Sequence, residues 1–278
     1  VLLAANPIFD PIVHALGGVL TFIHGVIPSY GWALIALAFV VRVVLWPLTA
    51  IQFRSMAEMQ KVQPLVKQLQ AKYKGDPQTL NTAMMALYKE HKVNPLAGCV
   101  PMLIQFPILI GLYWAIQGQI DQFKPEHWLW IGSSISDRWP DIFARNLAVP
   151  DIALLVLYVI SMYFTVRYGS PPSTDPQQAQ TQKIMAFLSP AMIAFFGFKY
   201  RWASALYIYW LATNVFTVAQ QFYMFRRYGL IGPNKAAALV LPPLPDAPSA
   251  AQKAIDTKKM AAATNGKRAY RPKRRARR

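Results

Sequence analysis

Cysteine is almost missing. Cys99 is the only one in 278 residues, so the chain can hold no internal disulfide and no cysteine-based zinc cluster. Histidine is sparse too: His14, His24, His91 and His127 fall in separate segments, with no pair at helical spacing to grip a metal. No glycine-rich phosphate cradle and no nucleophile–base constellation stands out. An enzyme, a metal site or any other cofactor is therefore not expected. Acidic residues are few, 12 against 29 Lys plus Arg. Charge of either sign is missing altogether from long runs. Apart from Arg42, the segments 31–52, 96–117, 152–166, 184–198 and 203–225 contain no Lys, Arg, Asp or Glu.

Roughly 20 apolar residues, rising about 1.5 Å each, cross a hydrocarbon core of about 30 Å. Five such runs predict an all-α membrane protein with transmembrane helices at 31–52, 96–117, 151–168, 184–199 and 203–225. The hydrophobic fraction is 54% while the mean hydropathy is only +0.24, so the polar residues must be concentrated between the runs.

The basic residues give an orientation. Loop 53–95 carries Arg54, Lys61, Lys67, Lys72, Lys74, Lys89 and Lys92, and the tail 226–278 carries most of the rest, whereas loop 118–150 has only Lys124, Arg138 and Arg145. Positively charged loops stay in the cytoplasm. That places 53–95, 169–183 and 226–278 inside, and 1–30 and 118–150 outside, with the N-terminus out and the C-terminus in. The net charge of +17 is then a topology signal and needs no nucleic acid to explain it. Residues 1–30 begin without Met and hold no Lys or Arg, unlike an intact signal peptide, so the chain is read as starting after a processed segment. Ile8, Phe9, Ile12, Val13 and Leu16 predict a short amphipathic helix on the outer interface, or else a weakly ordered leader.

Loop 53–95 has helical periodicity. Met56, Met59, Val62, Leu65, Leu69 and Tyr73 recur every three or four residues, and Leu80, Met84, Leu87 and His91 continue the pattern. Gly75 can end the first helix, Asp76 can cap the second and Pro77 suits its first turn. The expectation is an antiparallel hairpin. It is either a solvated link between spans or, given Met56, Met59, Met84 and Met85, an adaptable contact surface.

Within the spans, Pro101 and Pro107 predict bends in the second helix. The third and fourth uncharged runs cover only about 22 Å each; snorkelling of flanking Lys and Arg, or a locally thinned bilayer, accommodates them. Trp210, Asn214, Thr217 and Gln221 form one polar stripe along the last span. The tail ends RPKRRARR, where Arg271, Lys273, Arg274, Arg275, Arg277 and Arg278 suit anionic lipid headgroups or ribosomal RNA.

Arg42 is the anomaly. An arginine at the bilayer centre costs about 2.5–3.5 kcal/mol on insertion scales, and no span contains an acid to pair with it. The expected solution is a hydrophilic groove lined by Arg42, Gln105, Trp210, Asn214 and Thr217. Three functions use such a groove: an anion channel or transporter, a scaffold whose arginine bonds carbonyls freed by proline, or a chaperone that draws hydrophilic segments of other proteins into the bilayer. No internal repeat of the transporter kind is visible.

Residues 84–116, MMALYKEHKVNPLAGCVPMLIQFPILIGLYWAI, together with PLTAIQFRSMAEMQKVQP (47–64) and DPQQAQTQKIMAFLSPAM (175–192), resemble the YidC family of membrane protein insertases. Mitochondrial oxidase-assembly and chloroplast thylakoid insertases are relatives of that family. The resemblance covers about residues 20–228. It implies five helices around a hydrophilic groove open to the cytoplasm and lipid, a cytoplasmic helical hairpin at 55–92, and a bacterial inner-membrane location. It also implies that R-x-x-x-W-P-L-T (42–49) supplies the groove cation, that Tyr209 or Trp210 makes the aromatic contact of the last span, and that no cofactor or small-molecule substrate is used. The implied partners are nascent membrane proteins, lipid, the ribosome through the tail, and the Sec translocon. Residues 1–30 leave no room for a large outer domain, so the compact form is expected. The connection KYRWASA (199–205) lacks the Phe-Pro-Ser-Gly type of turn common among relatives.

Overall fold

Proline placement sets the first two helices. α1, Asp10–Val26, has Pro11 in its first turn and stops before Pro28; the residue ahead of a proline is pushed out of helical geometry, and Ile27 is extended at φ −112°, ψ 99°. The chain then reverses into α2, Tyr30–Val44. The two helices are antiparallel: Pro11 and Ile12, at the start of α1, share a groove with Val44 and Leu45, at the end of α2. These statements come from a computed structural model that describes residues 9–94, 100–169 and 176–231. The basic tail from Arg271 to Arg278, and Pro95 and Cys99, lie outside those residues.

Instead of lying across the end of the bundle, α1 runs along α2 and beside α5, Val100–Gly118. Its apolar residues are spread around the helix rather than confined to one stripe: Leu20 is fully buried while Phe22 and Val26 are exposed. Close approach to α5 depends on Gly111, where a Cβ would come within 2.6 Å of Ile12. Farther along, the Gln119 amide donates to the Gly17 carbonyl at 3.1 Å.

The run 31–52 is not one straight rod. α2 ends at Leu45 and α3, Trp46–Lys72, leaves it at 56°. Pro47 lacks the N–H that would bond back to Val43, so the helix breaks there. Arg42 stands three residues before the break. Pro101 lies in the first turn of α5 and Pro107 in its interior. α7, Ile152–Tyr168, and α9, Ser204–Arg227, enclose the remaining core with α8, Pro176–Tyr200. The uncharged stretch 184–198 is only part of α8, which is 25 residues long.

Residues 9–53 and 100–231 form one unit. Its core gathers Leu34, Leu37, Leu112, Ile116, Leu154 and Tyr207. The opposite surface is unlike that of a water-soluble protein: Trp32, Phe39, Phe106, Phe187, Phe195, Phe198 and Phe222 are each at least half exposed. By length and composition, Ala179–Tyr200 and the bent pair Tyr30–Val44 with Trp46–Lys72 qualify as membrane spans among the described residues, while α1 and α7 are shorter apolar helices.

One end of this unit is closed by a buried carboxylate. Asp151 caps α7 by accepting from the Leu154 N–H at 2.7 Å, and also accepts from the Ala144 N–H at 2.8 Å and the Trp130 indole N–H at 3.1 Å. The side chain is completely buried. The neighbouring loop then holds the connection 199–205. Ala205 N–H donates to the Leu147 carbonyl at 3.1 Å, and Ser204 N–H to the Val149 carbonyl at 3.0 Å. Loop-to-loop hydrogen bonds thus replace a special turn sequence at this end. Nearby, Trp128 packs flat on Gly31, where any side chain would collide with the indole.

Residues 54–94 belong to a second unit. There α3 pairs with α4, Pro77–Glu90, through Leu65, Val66, Leu69, Ala83 and Leu87. Full burial of a leucine contributes about 2 kcal/mol, enough for this short seam to hold. The turn uses Gly75 at φ +102°, a conformation side chains disfavour, and Asp76 accepts from the Thr79 N–H at 3.0 Å to cap α4. Pro64 sits inside α3, a helix interior position that sequence periodicity overrode. Burial in the seam raises the Tyr88 phenol above its usual pKa of 10.0.

Candidate functional site

α9 carries two polar stripes about 100° apart, and they meet different neighbours. Residues 209, 213, 216, 220 and 223 share one face by their spacing of three and four. That face meets α2 and the start of α3, because Phe216 packs edge-on to Phe39 at 5.5 Å and Tyr223 contacts Trp46 at 5.7 Å. Phe225 meets Phe53 one turn on. Residue numbers rise together in these pairs, so the two segments run parallel.

The stripe Trp210, Asn214, Thr217 and Gln221 turns toward α7 instead. Trp210 stacks on Tyr158 at 5.4 Å and meets Trp202 edge-on at 5.3 Å. Asn214 donates to the Ser161 hydroxyl at 2.9 Å, and Ser161 donates in turn to the Tyr158 carbonyl at 2.7 Å. Thr217 bonds back to the Thr213 carbonyl at 2.5 Å. Gln221 lies against Gly169, at the end of α7.

Arg42 is half-buried on α2 and its electrostatic neighbour is the Tyr209 phenol. It forms no ion pair and no hydrogen bond with a described residue. Gln220, 5% exposed, likewise has neither its amide N–H nor its carbonyl oxygen bonded among the described residues. A buried, unpaired polar group costs about 1–3 kcal/mol, so the seam between α2 and α9 holds unspent hydrogen-bonding capacity. It is a place where a polar guest gains bonds rather than displacing them.

The structure therefore brings Arg42 together with Tyr209 and sets Trp210, Asn214 and Thr217 on the adjoining face. Gln105 is half-buried on α5. On the hairpin, Met84 packs against the Leu65–Leu87 seam, Met85 points outward at 62% exposure, and Met56 and Met59 are half-buried on α3. Thr213 and Gln220 were not singled out from sequence. The available signal was their i+4 and i+11 spacing from Tyr209, which becomes informative only when Tyr209 is known to face Arg42. Among the described residues no group of His, Cys, Asp and Glu gathers metal ligands.

A helical bundle with an apolar outer surface and a lone cation in a polar seam defines a membrane-embedded class of protein. The chain belongs to the family described as 60Kd inner membrane protein, whose profile matches residues 22–230. Among curated relatives, the membrane protein insertase YidC of Janthinobacterium sp. (strain Marseille) is 35% identical over 214 residues, covering 75% of this chain and 36% of the relative. YidC of Neisseria gonorrhoeae (strain NCCP11945) is 37% identical over 204 residues, 73% of this chain and 34% of that one. The chain thus spans about a third of the length of the curated relatives it matches. A solved structure, titled as an active YidC insertase with the first transmembrane domain resolved, superposes with a TM-score of 0.56 at 25% identity, covering 78% of this chain and 47% of that one.

Proposed function

We propose that this chain is a membrane protein insertase of the bacterial inner membrane, with five spans, its N-terminus outside and its C-terminus in the cytoplasm. The observation that carries the mechanism is Arg42, which has no ion-pair partner among the described residues and sits beside a face of α9 with an unbonded amide. Its charge attracts an acidic leading segment of a nascent membrane protein, while Tyr209 and Gln220 offer hydrogen bonds that water would otherwise supply. The names of the relatives support the same reading. The parallel course of α2 and α9 agrees with both running from outside to inside, as an odd number of spans requires.

In this reading the hairpin of α3 and α4 receives the arriving chain, with Met85 exposed as an adaptable contact. The substrate's own apolar helix then leaves sideways into lipid. At about 25 cal/mol per Å² of apolar surface, burial of a whole span supplies the driving force without a nucleotide. The ribosome, docking on the basic tail, and the Sec translocon are the proposed partners.

Reconstitution into liposomes tests the role of Arg42. With a single-span substrate bearing an acidic leader, Arg42→Glu should lower insertion at least about tenfold, the equivalent of about 1.4 kcal/mol, and Arg42→Lys should keep part of the activity. Full insertion by the Glu variant would sink the attraction mechanism, and ion conductance without substrate would point to a channel. Deleting residues 271–278 should weaken co-sedimentation with ribosomes at low salt; unchanged co-sedimentation removes that role from the tail.

A further inference from the structure

Where the ends of α7, α8 and α9 meet near Asp151, Pro140, Asp141, Gly197, Phe198, Arg201 and Tyr207 help enclose a cavity of about 100 Å³. At roughly 30 Å³ per water molecule, that space admits a small polar group but not a whole lipid. Its inner wall is Tyr207, which is fully buried, and whose hydroxyl has no hydrogen-bond partner among the described residues. The hydroxyl reaches this position because residue 197 is glycine: a Cβ there would lie 2.8 Å from the tyrosine oxygen. Leaving such a donor dry and unpaired is costly, so the cavity favours an occupant that accepts a hydrogen bond.

The rim adds two opposite charges. Asp141 and Arg201 both line the cavity and both are exposed, yet neither forms an ion pair among the described residues. Arg201 also has φ +50°, a left-handed backbone that is uncommon outside glycine. Apolar side chains frame the opening: Phe198 is 68% exposed, Phe195 58% and Trp139 56%. Exposed tryptophan and phenylalanine of this kind sit well at the boundary between headgroups and acyl chains.

A buried donor, a cation and an anion that do not pair with each other, and an apolar ridge leading away form a pattern complementary to one class of molecule. The geometry points to a seat for a zwitterionic phospholipid with a primary ammonium, the phosphatidylethanolamine class. Tyr207 and Arg201 donate to the phosphate oxygens, Asp141 accepts from the ammonium, and the acyl chains lie along Phe198 and Phe195 of α8. A lipid held there ties α8, which is little covered by the rest of the protein, to the connection that leads into α9. Placement in the outer leaflet rests on the topology proposed above; the pocket chemistry does not.

The test is lipid retention by the full-length chain, purified in mild detergent doped with defined lipids and read by native mass spectrometry. Phosphatidylethanolamine should be retained about tenfold over phosphatidylglycerol, and Arg201→Gln and Tyr207→Phe should each lower that retention about tenfold, as expected when a hydrogen bond to a charged group is lost. Asp141→Asn should abolish the preference between the two lipids while leaving total retention in place. Tyr207→Phe keeps the ring in the core, and an unchanged melting temperature for that variant shows that the effect is local. Equal retention by wild type and both donor variants overturns the proposal. Displacement of the lipid by inorganic phosphate alone, at concentrations where soluble phosphorylethanolamine does no better, assigns the pocket to a free anion and overturns it as well. Retention is read without any insertion substrate, so a failure of the insertase reading leaves this result standing, and the reverse.

Discussion

The two faces of α9 use their polar residues in opposite ways. Toward α7, Asn214, Ser161 and the Tyr158 carbonyl form a completed chain of hydrogen bonds, flanked by the stack of Trp210 on Tyr158. Toward α2, Arg42 and Gln220 have no bonded partner among the described residues, and only aromatic contacts such as Phe216 on Phe39 join the helices. A completed network holds two helices at a fixed rotation and distance. An incomplete one stores capacity for a guest. Polar residues on one helix thus serve as glue on one side and as a receptor on the other, and sequence spacing alone does not tell which is which.

That contrast can be broken most severely at the closed end shared by both faces. Asp151→Ala leaves three buried donors, on Leu154, Ala144 and Trp130, without their acceptor. At about 1–3 kcal/mol for each orphaned group, a loss of at least about 3 kcal/mol is expected, read as a large drop in melting temperature in mild detergent. A melting temperature close to wild type would mean that this carboxylate does not close the bundle.

The contrast is sharpened by one conservative change on each face. On the α7 side, Asn214→Leu removes a bonded amide and strands the Ser161 hydroxyl. Interhelical hydrogen bonds in membranes are worth about 0.6–1.7 kcal/mol, so stability should fall by about 1 kcal/mol while insertion of acidic-leader substrates changes little. On the α2 side, Gln220→Leu removes an amide that bonds to nothing described. Stability should stay within about 0.5 kcal/mol or rise, while insertion falls. If both variants lose stability equally, or both lose activity equally, the two faces are not functionally distinct.

Much of the molecule is legible in the chain because it depends on local rules. The hairpin is written in Gly75, Asp76 and Pro77, whose turn, cap and first-turn roles act within a few residues of each other. Arg42 stands out because a charge in an apolar run is costly wherever the helix ends up. Other features depend on rotation or on distant partners. The stripe through Trp210 and Asn214 is evident as a stripe, but its neighbour is fixed by packing against Tyr158 and Ser161, more than 50 residues away. The break at Leu45 follows from Pro47, a local signal masked by the unbroken hydrophobicity around it. Asp151 reads as a helix cap; its two further donors are recruited only when the loop folds back over it. α1 lies along its neighbours rather than across them, a choice made by Gly111 on another helix.

By itself, the sequence determined which segments are helical, where the cation falls and which turns join the hairpin, because these follow from backbone sterics, capping and the cost of charge in an apolar medium. Only the tertiary structure decided which face of α9 meets Arg42, which polar groups are bonded and which are left over, and how one carboxylate closes the bundle. The physical reason is that hydrogen-bond satisfaction in a packed interior depends on the relative rotation of helices, and rotation is set by the sum of many side-chain contacts between residues remote in the chain.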